Sequence, residues 1–142
     1  MPTGQKVRNK RNTGSQAAVS GRSASATSAA RAAQVDATLR RERVAFAAKV
    51  RGARTILGWS QRELGARVSM TQKSIYRMEL GTHDLRRSTV VMVEQVLKAE
   101  GIGFEELPGG GFKVVVPEVI LSKLVRAADR VARTKKDILD VI

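Results

Sequence analysis

Gln72, Lys73, Ser74 and Arg77 lie close together, and their types suit recognition better than catalysis. A glutamine amide can bond an adenine edge at two points, and arginine or lysine can do the same for guanine. Nothing nearby activates a nucleophile. The whole chain holds one histidine and no cysteine, and its acids are scattered singly among basic residues. No nucleophile–base pair and no metal shell can be assembled from such residues. His83 has only Asp84 beside it, a weak ligand pattern. The expectation is a binding protein, not an enzyme, with no cofactor and no metal.

Two short helical patterns must position these side chains. Ser60 followed by Glu63 is a capping box, in which hydroxyl and carboxylate each satisfy a free backbone N–H. Thr71 is a second cap, and Gly81 suits the left-handed residue that ends a helix. Leu64 and Val68 share one helical face, as do Ile75 and Met78, so each helix can bury one stripe. Only Ser69 and Met70 remain for the turn, so the helices must cross steeply around a small common core. With Ile75 and Met78 inward, Gln72, Lys73, Ser74, Tyr76 and Arg77 point outward. The bland alternative is the solvated face of an ordinary helix hairpin.

The stretch from about Arg51 to Leu97 resembles the helix-turn-helix of the Cro/C1 (XRE) family. Leu57-Gly58-Trp59-Ser60-Gln61, Leu64, Ile75 and Glu79 stand at that family's spacing, and Thr71–Ile75 is similar to the recognition helix of lambdoid phage repressors. The resemblance implies a four-helix DNA-binding domain that binds double-stranded DNA through Gln61, Thr71, Gln72, Lys73, Ser74, Arg77, Arg86 and Arg87. It implies base reading by Gln72 and Arg77, a phosphate contact at Gln61, and a minor-groove role for Arg87. It further implies a largely buried Arg54–Glu79 ion pair joining the first helix to the third. The chain departs from the pattern at Ser69, where the family usually has glycine, and in its long N-terminal extension.

Charge supports a polyanionic partner independently. The formal net charge is +13 and it is unevenly placed. Residues 1–35 carry six bases and no acid, residues 40–87 twelve bases and four acids, and residues 88–142 eight of each. The positive field therefore sits on the arm and on the two short helices. The lack of cysteine suits a reducing compartment, and no apolar run approaches the ~20 residues of a membrane span. The expected location is cytoplasmic and associated with the nucleoid.

The flanks complete the expected organisation. Residues 1–34 read as a disordered basic arm, because sizeable apolar residues are too few to offset the entropy of folding. An acid-poor segment with Arg and Ser also matches the composition of a transit peptide, but its bulky residues are too sparse for an amphipathic helix. A long helix is expected from about Ala32, with Asp36 as its cap and Gly58 as its stop, and Leu39–Arg43 is too polar for burial. Residues 35–100 form the expected DNA-binding domain, closed by a fourth helix from about Ser88 to Ala99. Within residues 101–142, Ile102–Leu107 and Phe112–Val116 flank Pro108–Gly111 as a β-hairpin. Pro117 then opens a helix to about Arg133, and Thr134 to Asp137 could cap a further turn.

The fold class expected is mainly α. The apolar face from Val119 to Ile142 is too large for a lone terminal helix, so hairpin and helix are expected to make a homodimer; packing back in cis is the alternative. The functional expectation is a transcriptional regulator, foremost a repressor. Two rivals use the same fold: an antitoxin whose C-terminal segment binds a toxin, and a bridging coactivator that binds proteins.

Overall fold

A computed structural model of the chain describes Gly4 and residues 17–141. Its elements are α1 (Ala17–Ile56), α2 (Gln61–Arg67), α3 (Gln72–Leu80), α4 (Arg87–Ala99), β1 (Gly103–Leu107), β2 (Gly111–Val115) and α5 (Glu118–Asp140). The protein is mainly helical, with one small antiparallel hairpin towards its C-terminus. Among the described residues no helix is long and apolar enough to cross a membrane. Two compact units divide between Thr38 and Leu39.

The first unit corrects one expectation. Apart from Gly4, residues 1–16 of the expected disordered arm lie outside the described residues, but residues 17–34 are helical and belong to α1. Asp36 accordingly lies inside the helix and does not cap it. The reason is local: after Gly21 the stretch is rich in alanine with arginine and glutamine, which carry the least helix penalty. Every side chain from Ala24 to Thr38 is exposed. With no buried side chain, this part of α1 draws on helix propensity and local bonds, such as that from the Thr38 hydroxyl to the Gln34 carbonyl at 2.9 Å, which is marginal for a helix in water.

In the second unit α1 becomes a packed helix. Phe46, Ala47, Val50 and Ala53 are buried along one face. Phe46, Val50 and Ala53 meet Leu64 and Val68 of the α2 region, Ile75 and Met78 of α3, and Val93 and Leu97 of α4 in one core cluster. Full burial of each large side chain contributes about 1.5–3 kcal/mol. Gly58 (φ +71°) ends α1 and Gly81 (φ +68°) caps α3, as their positions in the sequence predict. Trp59 packs against the cluster, with the Arg67 guanidinium stacked 3.9 Å from its ring centroid.

The turn between α2 and α3 is tight for two reasons. The Met70 N–H donates to the Gly65 carbonyl at 2.8 Å. A Cβ on Gly65 would stand 2.5 Å from the Met70 oxygen, a backbone atom that cannot swing away. Ser69 takes the left-handed conformation at φ +54°, the one non-glycine residue among those described to do so. That conformation costs an L-residue about 1–2 kcal/mol.

The hairpin pairs Gly103 with Val115 through to Leu107 with Gly111. Three residues, Pro108 to Gly110, make its turn, and both glycines take positive φ (+89° and +85°). α1 fixes the hairpin from one side. The Arg41 guanidinium donates to the carbonyls of Gly109 (3.0 Å) and Gly110 (3.3 Å) at the tip. Lys49 lies 5.8 and 5.3 Å from the ring centroids of Phe104 and Phe112 and pairs with Glu106. Ile102 and Ile120 join the main core, and Phe104, Val114 and Val116 pack against it. The hairpin and the first turn of α5 thus complete the core of their own chain. α5 runs unbroken to Asp140; Thr134 starts no new helix, and its hydroxyl donates to the Arg130 carbonyl at 3.0 Å. Ile142, the end of the expected apolar face, lies outside the described residues.

Backbone amides of residues 24–38 should exchange with deuterium far faster than those of residues 46–56, because only the latter are covered by the core; equal protection would mean that residues 24–38 are covered as well. Ser69→Gly should raise stability by about 0.5–1 kcal/mol in urea unfolding, relief of left-handed strain exceeding the added freedom of the unfolded chain.

Candidate nucleic-acid interface

α3 is positioned at both ends and underneath. At its start the Thr71 hydroxyl accepts the Ser74 N–H at 3.1 Å, and the two hydroxyls lie 2.9 Å apart. At its end Gly81, at φ +68°, is buried against Val44 and Ala47 of α1, where a Cβ would stand 3.2 Å from the Val44 Cα. Ile75, Met78 and Glu79 are its buried residues. Gln72, Lys73, Tyr76, Arg77 and Leu80 are exposed, and this 72/73/76/77/80 spacing places them along one stripe of the helix. α2 starts equally firmly: Glu63 N–H donates to the Ser60 hydroxyl at 3.1 Å, and Ser60 N–H donates to the Glu63 carboxylate at 2.6 Å. The bond from the Ser60 N–H, and the Ser60 hydroxyl after it, hold the Glu63 carboxyl below its ordinary value.

Beneath the stripe lies a charged joint. Arg54 of α1 donates through Nε to Glu79 Oε1 at 2.6 Å and through Nη2 to Glu79 Oε2 at 3.1 Å. Its Nη1 donates to the Trp59 carbonyl at 2.7 Å, beyond the end of α1. Gln61 of α2 donates to Glu79 Oε2 at 2.9 Å. Glu79 is the one buried polar residue among those described, at 6% exposure. The hydrogen bonds to Glu79 raise Arg54 above arginine's ordinary value, outweighing the opposing effect of its burial. One carboxylate therefore ties together three helices, in the side-on geometry that gives arginine its directional strength.

The eight residues expected to touch DNA fall into distinct settings. Gln72, Lys73 and Arg77 lie together on the exposed stripe. Thr71 and Ser74 flank it, but their hydroxyls are engaged with each other and with the α3 cap. Gln61 is half-buried with its amide committed to Glu79, so its side chain serves the joint and is not presented outward. Arg86 and Arg87 are both exposed, and Arg87 is the first residue of α4, one position before the start expected at about Ser88. Arg62, beside Gln61 and exposed, went unnoticed in the sequence because nothing about an arginine in a seven-residue helix separates it from solvent-facing charge. Gly65 went unnoticed too; a glycine inside a helix was the available signal.

Among the described residues no group of His, Cys, Asp or Glu could hold a metal ion. The His83 Nδ1 lies 2.8 Å from the Thr82 hydroxyl. Compared with protein-family models, with curated proteins and with solved structures, the chain finds no match in any of the three.

Removing one member of the joint should be costly. Glu79→Ala leaves the Arg54 charge without its partner and the Gln61 amide without its acceptor, and should destabilise by about 3–5 kcal/mol. Urea unfolding followed by Trp59 fluorescence measures this. A loss below about 1 kcal/mol, the scale of an exposed pair, would mean that the three helices hold together without the carboxylate.

Proposed function

We propose that the protein binds double-stranded DNA sequence-specifically and acts as a transcriptional regulator, foremost a repressor. In this reading α2 and α3 form a helix-turn-helix within the four-helix unit α1–α4, and α3 enters the major groove. The observation that carries it is the exposed α3 stripe of Gln72, Lys73, Tyr76 and Arg77, set on a helix whose opposite face is locked by Glu79 and the core. Base reading needs side chains with matching donors and acceptors on a support that does not move. The stripe supplies the first and the Arg54–Glu79–Gln61 joint the second.

Roles divide by chemistry and setting. Gln72 and Arg77 read base edges, and Lys73 reads or contacts phosphate according to its approach. Thr71 and Ser74 hold the helix start and reach only neighbouring phosphate. Arg62, Arg86 and Arg87 add sequence-independent attraction at the rim, where Arg87 can approach the minor groove. A small module that occupies a promoter represses by exclusion alone and needs no catalytic part.

Selection of bound duplexes from a random pool supplies the site for the test. On that site Gln72→Ala and Arg77→Ala should each lose about 1–3 kcal/mol and relax preference at one base pair. Arg62→Ala should weaken selected and random DNA alike and flatten the salt dependence by about one unit in log K against log salt. Equal losses from all three variants on both kinds of DNA, or no enriched sequence, would overturn the reading.

A further inference from the structure

A small cavity lies between the packed part of α1, the loop that leaves α3 and the start of α4. Glu42 and Arg43 line it from α1, Asp84 from the loop and Arg87 from α4. Its apolar part is Phe46, Leu85 and Val90, all buried or half-buried. Phe46 stands three positions after Arg43 and four after Glu42, so one face of α1 presents all three. The volume is about 280 Å³, just below the ~300–1,000 Å³ of sites for drug-sized ligands. That size suits one small molecule.

The cavity holds charges of both signs, and not all of them are paired. Arg43 donates through Nη1 to Asp84 Oδ1 at 2.6 Å. Its Nε is the one buried side-chain nitrogen or oxygen among the described residues that has no hydrogen-bond partner. A buried donor in that state is costly, and an acceptor in the cavity would relieve it. Neither Glu42 nor Arg87 has a hydrogen-bond or ion-pair partner among the described residues. With the Arg43–Asp84 pair closed, the cavity keeps one unpaired acid on α1 and one unpaired base on α4, beside an apolar floor.

We propose that this cavity binds a small zwitterion with an apolar body, an α-amino acid of the leucine or phenylalanine kind. Its carboxylate meets Arg87 and the unpartnered Nε of Arg43, at the positive end of α4. Its ammonium meets Glu42, and its side chain covers Phe46, Leu85 and Val90. A plain carboxylate would bring a second negative charge towards Glu42, and a plain amine a second positive charge towards Arg87. A ligand with both signs satisfies both. The site itself does not depend on DNA binding. Resting on that reading, occupation withdraws Arg87 from the DNA backbone and groove, so the ligand acts as an effector that lowers DNA affinity.

The binding test needs no DNA, so its failure is distinct from a failure of the DNA-binding reading. Full-length protein titrated with L-leucine or L-phenylalanine should show saturable NMR shifts at the amides of Arg43, Leu85 and Arg87, complete below about 10 mM ligand. L-Leucinamide lacks the carboxylate and 4-methylpentanoate lacks the amine; each should bind at least about tenfold more weakly than L-leucine. Glu42→Gln and Arg87→Gln should each weaken L-leucine binding by a similar factor. Both side chains are exposed, so an unchanged urea midpoint checks that these variants keep the fold. On a selected duplex, saturating L-leucine should lower affinity and flatten the salt dependence by about one unit in log K against log salt. No saturable shift with either amino acid, 4-methylpentanoate binding as well as L-leucine, or full binding by both folded variants would overturn the site. DNA affinity unchanged by bound L-leucine would overturn the effector role.

Discussion

The buried carboxylate of Glu79 is the constraint on which the central part of the structure depends. It accepts from Arg54 of α1 and Gln61 of α2 while belonging to α3. Hydrophobic burial brings these helices together, and the interdigitation of their side chains already favours certain crossing angles. Directional bonds to a charge that water cannot reach are far less forgiving. Arg54 also takes the Trp59 carbonyl, so the chain leaving α1 is fixed by the same guanidinium. This cluster and the packing of Ile75 and Met78 in the core together orient the exposed α3 stripe.

Two backbone constraints support it. Gly65 lets the Met70 carbonyl approach to a distance that a methyl group would forbid, and Ser69 accepts a left-handed conformation to turn the chain. Strain at Ser69 is tolerated because both flanking helices are capped by side chains and packed into the core. The hairpin depends on α1 in a comparable way. Arg41 holds the carbonyls of its flexible turn and Lys49 sits against its two phenyl rings. A two-stranded hairpin is marginal in isolation, and these contacts with Ile102 and Ile120 in the core give it a fixed place.

α1 and α5 share a physical situation at opposite ends of the described chain. Each has buried residues and a long exposed stretch, residues 24–38 in α1 and most of those after Lys123 in α5. Their surfaces differ. The exposed part of α1 is mostly small and polar, so solvent costs it little. The exposed part of α5 keeps large apolar side chains, among them Val125, Val131, Ile138 and Leu139, for which water is a poor neighbour.

Much of this was legible in the sequence because it is local. The Ser60–Glu63 capping box, the Thr71 cap, the glycine stops at 58 and 81, the stripes of α2 to α4 and the hairpin about its glycines each depend on residues a few positions apart. The outward positions of Gln72, Lys73 and Arg77 follow from helical spacing alone. What required the tertiary structure was the partner of each polar group. Gln61 and Ser74 have types that suit an exposed binding face, and only the packed arrangement shows their hydrogen bonds directed inward or to a cap. The helical state of residues 17–34 was missed because apolar patterning is silent where a helix has nothing to pack against. Gly65 and Arg41 gained their meaning from atoms outside their own helical turn, a carbonyl across a turn and a hairpin tip. Short-range geometry is written residue by residue; hydrogen-bond allegiance and close approach are decided when the elements meet.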